Sequence, residues 1–74
     1  MITTNSVIHS DPDILGGIPV FVGTRVPLQN LIDYLSAGDS LEDFLRSFPT
    51  VTREQATAAL TEAADALEQL ARAA

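Results

Sequence analysis

PLQNLIDYLSAGDSLEDFLRSFPTVTREQ, residues 27–55, holds three helix starts and two helix stops in one run. Leu28, Leu31, Ile32 and Leu35 fall at i, i+3, i+4 and i+7, the spacing of one helical face. Pro27 suits the first turn, where a missing N–H is not needed, and Gly38 reads as a left-handed stop. The first helix is expected over about residues 27–37. Ser40 is an N-cap with Asp43 as the acidic half of a capping box, and Leu41, Phe44, Leu45 and Phe48 repeat the spacing until Pro49. That predicts a short second helix over about residues 41–47. Thr52-Arg53-Glu54-Gln55 is a second capping box, with Val51 and Ala56 placed as a hydrophobic staple.

Downstream, Ala56, Leu60, Ala63, Leu67, Leu70 and Ala74 recur in steps of four and three within an alanine-rich run. Alanine is the strongest helix former, so the third helix should reach about residue 72, near 30 Å at ~1.5 Å per residue. That is more than two short helices can cover. Packing on them accounts for the stripe as far as Ala63 and leaves Leu67 and Leu70 without a partner. Two readings stay open for this end: a weakly packed terminus, or a seam for self-association or for another protein.

Upstream lies GGIPVFVGTRVP, residues 16–27, dense in glycine and proline around an apolar centre. Val7-Ile8-His9 and Val20-Phe21-Val22 read as strands, with Asp11-Pro12-Asp13 and Gly16-Gly17 as turn formers between them. The fold expected is therefore mainly α: one domain over residues 1–74, with a β-arm or hairpin over 1–26 and a three-helix, helix-turn-helix bundle over 27–74. Two strands alone are barely stable, so the arm must lie on the helices or pair with another chain.

A domain this short is marginal without help. The chain has no cysteine and only one histidine, which removes disulfides and leaves no ligand set for a zinc site. Oligomerisation remains: a homodimer, a larger assembly or a fold completed by a partner protein is expected, with dimer pairing through the apolar strand Pro19-Val20-Phe21-Val22. Arg25, the sole cation of the first 45 residues, is expected to clasp the arm to the bundle through Asp11, Asp13 or Asp33, with phosphate contact as the alternative. His9 reads as a half-exposed packing residue.

Charge restricts the partners. Four arginines and no lysine stand against ten acidic residues, a net charge of −6, so there is no broad basic face for a nucleic acid. If the third helix did enter a DNA groove, Arg46, Arg53, Gln55 and Thr57 would be the contacting residues. Glu54, Glu62, Asp65 and Glu68 on the same helix would repel phosphates, which favours a plain bundle. No nucleophile–base set, P-loop or metal-ligating cluster can be assembled. Asp11-Pro12-Asp13 reads as turn capping. The chain is accordingly expected not to be an enzyme and to need no cofactor, metal or small-molecule substrate. Nothing resembles a signal peptide or a membrane span, so the cytoplasm is the expected location.

These residues also carry a resemblance. Ser10-Asp11-Pro12-Asp13, Gly16-Gly17-x-Pro19-Val20, Gly23-Thr24-Arg25-Val26-Pro27, then Ala37-Gly38-Asp39-Ser40-Leu41-Glu42-Asp43-Phe44-Leu45 and Phe48-Pro49-x-Val51-Thr52-x-Glu54-Gln55 resemble the small bacterial family known as domain of unknown function 433. The resemblance spans roughly residues 6 to 66. It implies a homeodomain-like or winged-helix-like fold and the role of antitoxin in a toxin–antitoxin pair whose toxin is a PIN-like ribonuclease. It also implies that Gly17, Pro19, Gly23, Thr24 and Arg25 matter to the family, whether toward DNA, toxin or a second copy. Ile18 and Val22 stand here where relatives often carry basic residues. The candidate toxin-binding residues are Leu67, Leu70 and Arg72, on the part of the third helix that its own chain leaves uncovered. Autoregulation of the operon by a dimer on operator DNA is the accompanying expectation.

Overall fold

The computed structural model describes residues 6–73. Its order is β1 (Ile8–His9), a single 3-10 turn (Leu15–Gly17), β2 (Val20–Phe21), α1 (Leu28–Ser36), α2 (Leu41–Ser47) and α3 (Arg53–Ala73). The chain is mainly helical, three helices with a short antiparallel hairpin ahead of them, as the sequence reading expects.

Local signals place the helix ends. Pro27 is the N-cap of α1, one position ahead of the first helical residue, and its carbonyl accepts from the N–H of Asn30 at 3.1 Å. At the other end Gly38 has φ of +92°, a conformation that costs an L-residue roughly 1–2 kcal/mol. The reversal lets the N–H groups of Gly38 and Asp39 donate to the carbonyls of Leu35 and Tyr34, satisfying the last turn of α1. Ser40 and Asp43 form the expected reciprocal capping box on α2: the Asp43 N–H donates to Ser40 Oγ at 3.0 Å and the Ser40 N–H to Asp43 Oδ2 at 3.1 Å. Thr52 and Gln55 do the same for α3, with both bonds at 3.0 Å.

The core forms around Phe44, which is fully buried and lies 6.1 Å from Phe21, 5.7 Å from Tyr34 and 5.0 Å from Phe48 between ring centroids. Leu31 of α1, Val51 of the α2–α3 turn, and Ala56 and Ala59 of α3 close around it. Alanine at the two buried α3 positions leaves room for the aromatic cluster to approach the helix closely.

The destination of the N-terminal segment corrects an expectation. Val20 and Phe21 are both fully buried within their own chain, and Phe21 belongs to the central cluster. Both edges of β2 are also occupied. On one side it pairs with β1, Ile8 opposite Phe21 and His9 opposite Val20, and the Val22 N–H donates to the Val7 carbonyl at 2.8 Å. On the other, the Phe21 N–H donates to the Val26 carbonyl at 3.0 Å and the Leu28 N–H to the Pro19 carbonyl at 3.1 Å. A strand with no free edge cannot add a strand from a second copy. The segment Pro19-Val20-Phe21-Val22 therefore roofs its own bundle, and the expected dimer contact through it does not stand.

Candidate functional site

Within the segment that carries the family-like signature, the working residue is Thr24. Gly23, at φ of +81°, turns the chain out of β2 so that the buried Thr24 hydroxyl donates to the Phe21 carbonyl at 2.8 Å and accepts from the Val26 N–H at 3.0 Å. These two bonds close the turn from Phe21 to Val26, just ahead of α1. Arg25, the expected clasp between the arm and the bundle, makes no such tie. It is exposed, and among the described residues it pairs with none of Asp11, Asp13 or Asp33. Asp11 Oδ1 instead accepts from the Asp13 N–H at 2.9 Å, a turn-capping bond, and Asp33 Oδ1 accepts from Gln29 Nε2 at 2.9 Å. A short neutral hydroxyl reaches two nearby backbone groups at less entropic cost than a long guanidinium reaching across solvent.

The residues proposed for a DNA groove are engaged within the chain. Arg53 donates to the Glu42 carboxylate, which joins the start of α3 to α2 and holds Glu42 below the usual carboxylate range. Arg46 Nη1 donates to Asp43 Oδ1 at 3.0 Å. The Asp43 carboxyl is likewise lowered, first by the Ser40 backbone N–H and then by the Ser40 hydroxyl and Arg46. Gln55 completes the α3 capping box with its oxygen, and its Nε2 donates to the Val22 carbonyl at 3.0 Å, tying β2 to α3. Thr57 is exposed, with its backbone carbonyl accepting from Thr61 Oγ1 at 3.2 Å. Of the four arginines, only Arg25 and Arg72 lack an ion-pair partner among the described residues.

The remaining candidates lie along α3. Its first half is anchored at three places: Arg53 to Glu42, Gln55 to Val22, and Glu62 to Ser6 and Val7. The Glu62 carboxylate accepts from Ser6 Oγ at 2.6 Å and from the Val7 N–H at 3.3 Å. Glu62 had no such role in the sequence reading, because its partners lie 56 and 55 residues away and carry no motif. Past Ala63 every described residue of α3 is exposed. Leu67 and Leu70, at 67% and 68% exposure, are the barest large apolar side chains in the described chain.

They are three residues apart and share a face, the continuation of the face that Ala56, Ala59 and Leu60 turn toward the core. Arg72 does not share it. At about 100° per residue it sits roughly 200° round from Leu70 and 140° round from Leu67, on the far side of the helix. Leu67 and Leu70 form one surface and Arg72 belongs to another. None of the helices among the described residues is long and apolar enough to cross a membrane.

Comparison with known proteins takes in the body and, for a solved structure, part of the overhang as well. A family model described as "Protein of unknown function (DUF433)" matches residues 8–63, from β1 to the point where α3 leaves the body. A solved structure of a DUF433 member protein from Anabaena variabilis ATCC 29413 is similar, with a TM-score of 0.71 and 28% identity, over 92% of this chain and 67% of that one. An uncharacterised protein of Sinorhizobium fredii (strain NBRC 101917 / NGR234), y4eO, is 43% identical over 49 residues. That match takes in 66% of this chain and only 22% of the relative's length. With more than half its residues matched by the family model, the chain belongs to the DUF433 family of proteins of unknown function.

Proposed function

We propose that this protein is an antitoxin that binds a PIN-like ribonuclease toxin and holds it inactive through the free half of α3. The observation that carries the reading is the exposed pair Leu67 and Leu70 on a helix that outruns its own core. Two apolar side chains held at helical spacing on a preformed rod are the anchors that helix-in-groove recognition uses. The net charge of −6 favours a basic partner surface, and a ribonuclease that handles a polyanion presents one. Arg72, on the opposite face, is available to a second wall of a partner groove. It can meet carboxylates there without disturbing the leucine contact.

Residues 64–73 lie beyond the stretch matched by the family model. The body then supplies a common scaffold, and the overhang chooses the partner. Autoregulation on operator DNA has less support. The guanidiniums of Arg46 and Arg53 are already paired, and Gln55 is bonded at both ends of its amide. A DNA-binding regulator without a toxin would need those bonds to break on binding.

Co-expression with the product of the adjacent gene is the direct test. The full chain should co-purify with it and rescue growth, whereas a chain ending at Ala64 should fold but fail at both. Rescue by the shortened chain removes α3 from the interface, and a neighbour with no nuclease character overturns the reading.

A further inference from the structure

The face of α3 that carries Leu67 and Leu70 has a second property, visible in what flanks it. In the overhang the four positions beside the stripe are Ala64, Ala66, Ala71 and Ala73, while Asp65, Glu68 and Arg72 fall elsewhere on the helix. Such flanking positions ordinarily carry charges that select a partner. Here they are small and neutral, so backbones can approach closely and two identical surfaces can meet with no like charges facing each other. We infer that the overhangs of two copies of this chain pair antiparallel, with Leu67 and Leu70 of one copy against the same residues of the other.

The direction follows from sterics. The paired face is the one on which each helix carries its own body, through Ala56, Ala59 and Leu60. In a parallel pair both bodies would have to occupy the space between the two helices at the same level. Antiparallel, each body sits beyond the tip of the other helix, which separates two chains of charge −6 and opposes their helix dipoles. The size of the seam sets its strength. A ten-residue overhang is about 15 Å long, so its one face falls well short of the ~800 Å² per partner of a standard interface, and the pair is weak and reversible. It uses the leucines assigned above to the toxin, and the two associations exclude one another. The self-pairing does not depend on the antitoxin reading and is tested without a toxin.

Sedimentation equilibrium of the full chain, over a series reaching millimolar concentration, should show a monomer–dimer equilibrium. Leu70→Glu should weaken it by about tenfold or more while helicity is unchanged, since the side chain is exposed in the monomer. The chain has no cysteine, which allows a direction test. Ala64→Cys mixed with Ala71→Cys should form the mixed disulfide faster than Ala71→Cys forms its own. A wild-type chain that stays monomeric throughout, a Leu70→Glu variant that dimerises as well as wild type, or faster same-site cross-linking each overturns the proposal. A wild-type chain that stays monomeric would overturn the pairing and leave the antitoxin reading standing, and a wild-type chain that fails to capture the neighbouring gene's product would leave the dimer in place.

Discussion

The two halves of α3 share one periodicity and have opposite surroundings. From Arg53 to Ala63 the helix is tied to α2 by Arg53, to Val22 by Gln55 and to Ser6 and Val7 by Glu62, and its buried residues are alanines. From Ala64 to Ala73 every residue is exposed, and its apolar residues include two leucines left about two-thirds exposed. Small side chains are inside and large ones outside, the reverse of what burial of apolar surface alone would choose. The inner half has alanine because the aromatic cluster around Phe44 already fills the space. The outer half has leucine where a monomer gains nothing from it. A repeating stripe thus reports which face is apolar, and the neighbouring elements decide whether that face is core or contact.

The contrast can be broken most directly at Phe44 of α2, the centre of the cluster on which the inner half packs. Phe44→Ala removes the ring that touches Phe21, Tyr34 and Phe48, and should cost about 3–5 kcal/mol, enough to unfold most of a domain this small. Urea denaturation followed by circular dichroism measures it. A loss below about 1 kcal/mol would mean that the inner half is not organised around this ring.

A smaller effect sharpens the role of the charged ties. Glu42 and Asp43 have carboxyls lowered in the folded chain, Glu42 chiefly by the Arg53 hydrogen bond and Asp43 chiefly by the Ser40 N–H. A lowered folded value means that their contribution is complete above the unfolded carboxylate range near 4 and is lost as pH falls through the folded values. Thermal melts should therefore show stability falling below about pH 4, with a shallower fall in Glu42→Gln. Both groups are exposed, so the change should be modest and should shrink in salt. An unchanged acid profile in Glu42→Gln would remove the Arg53 tie from the inner half.

The smallest effect is expected in the outer half. Leu67→Ala with Leu70→Ala, melted at concentrations too low for pairing, should change stability by no more than about 0.5 kcal/mol, as exposed substitutions do. A clear loss would show that the leucines belong to the core of the monomer and would erase the distinction between the halves.

Much of the architecture was legible because its signals are local. The Ser40–Asp43 and Thr52–Gln55 boxes each span four residues, and both form as read. The bareness of Leu67 and Leu70 followed from counting how much helix two short neighbours can cover. The misreadings concern which group a side chain or strand edge meets. Arg25 looked like the clasp because charge is conspicuous in a sequence, whereas Thr24 acts through two backbone groups within three residues of it. Pro19 to Val22 looked like an unpaired strand because nothing nearby announces that residues 26–28 will bond its second edge.

The amino-acid sequence alone determined three helices, their caps and stops, a hairpin ahead of them and an acidic chain. Each of those depends on dihedral preferences, capping groups or composition within a few residues. Tertiary structure alone decided that Phe21 completes the core, that Glu62 holds Ser6 and Val7, and that the stripe on α3 changes from buried to bare at Ala63. Those outcomes depend on which surfaces meet in three dimensions, where close packing admits one arrangement among many that the local signals would allow.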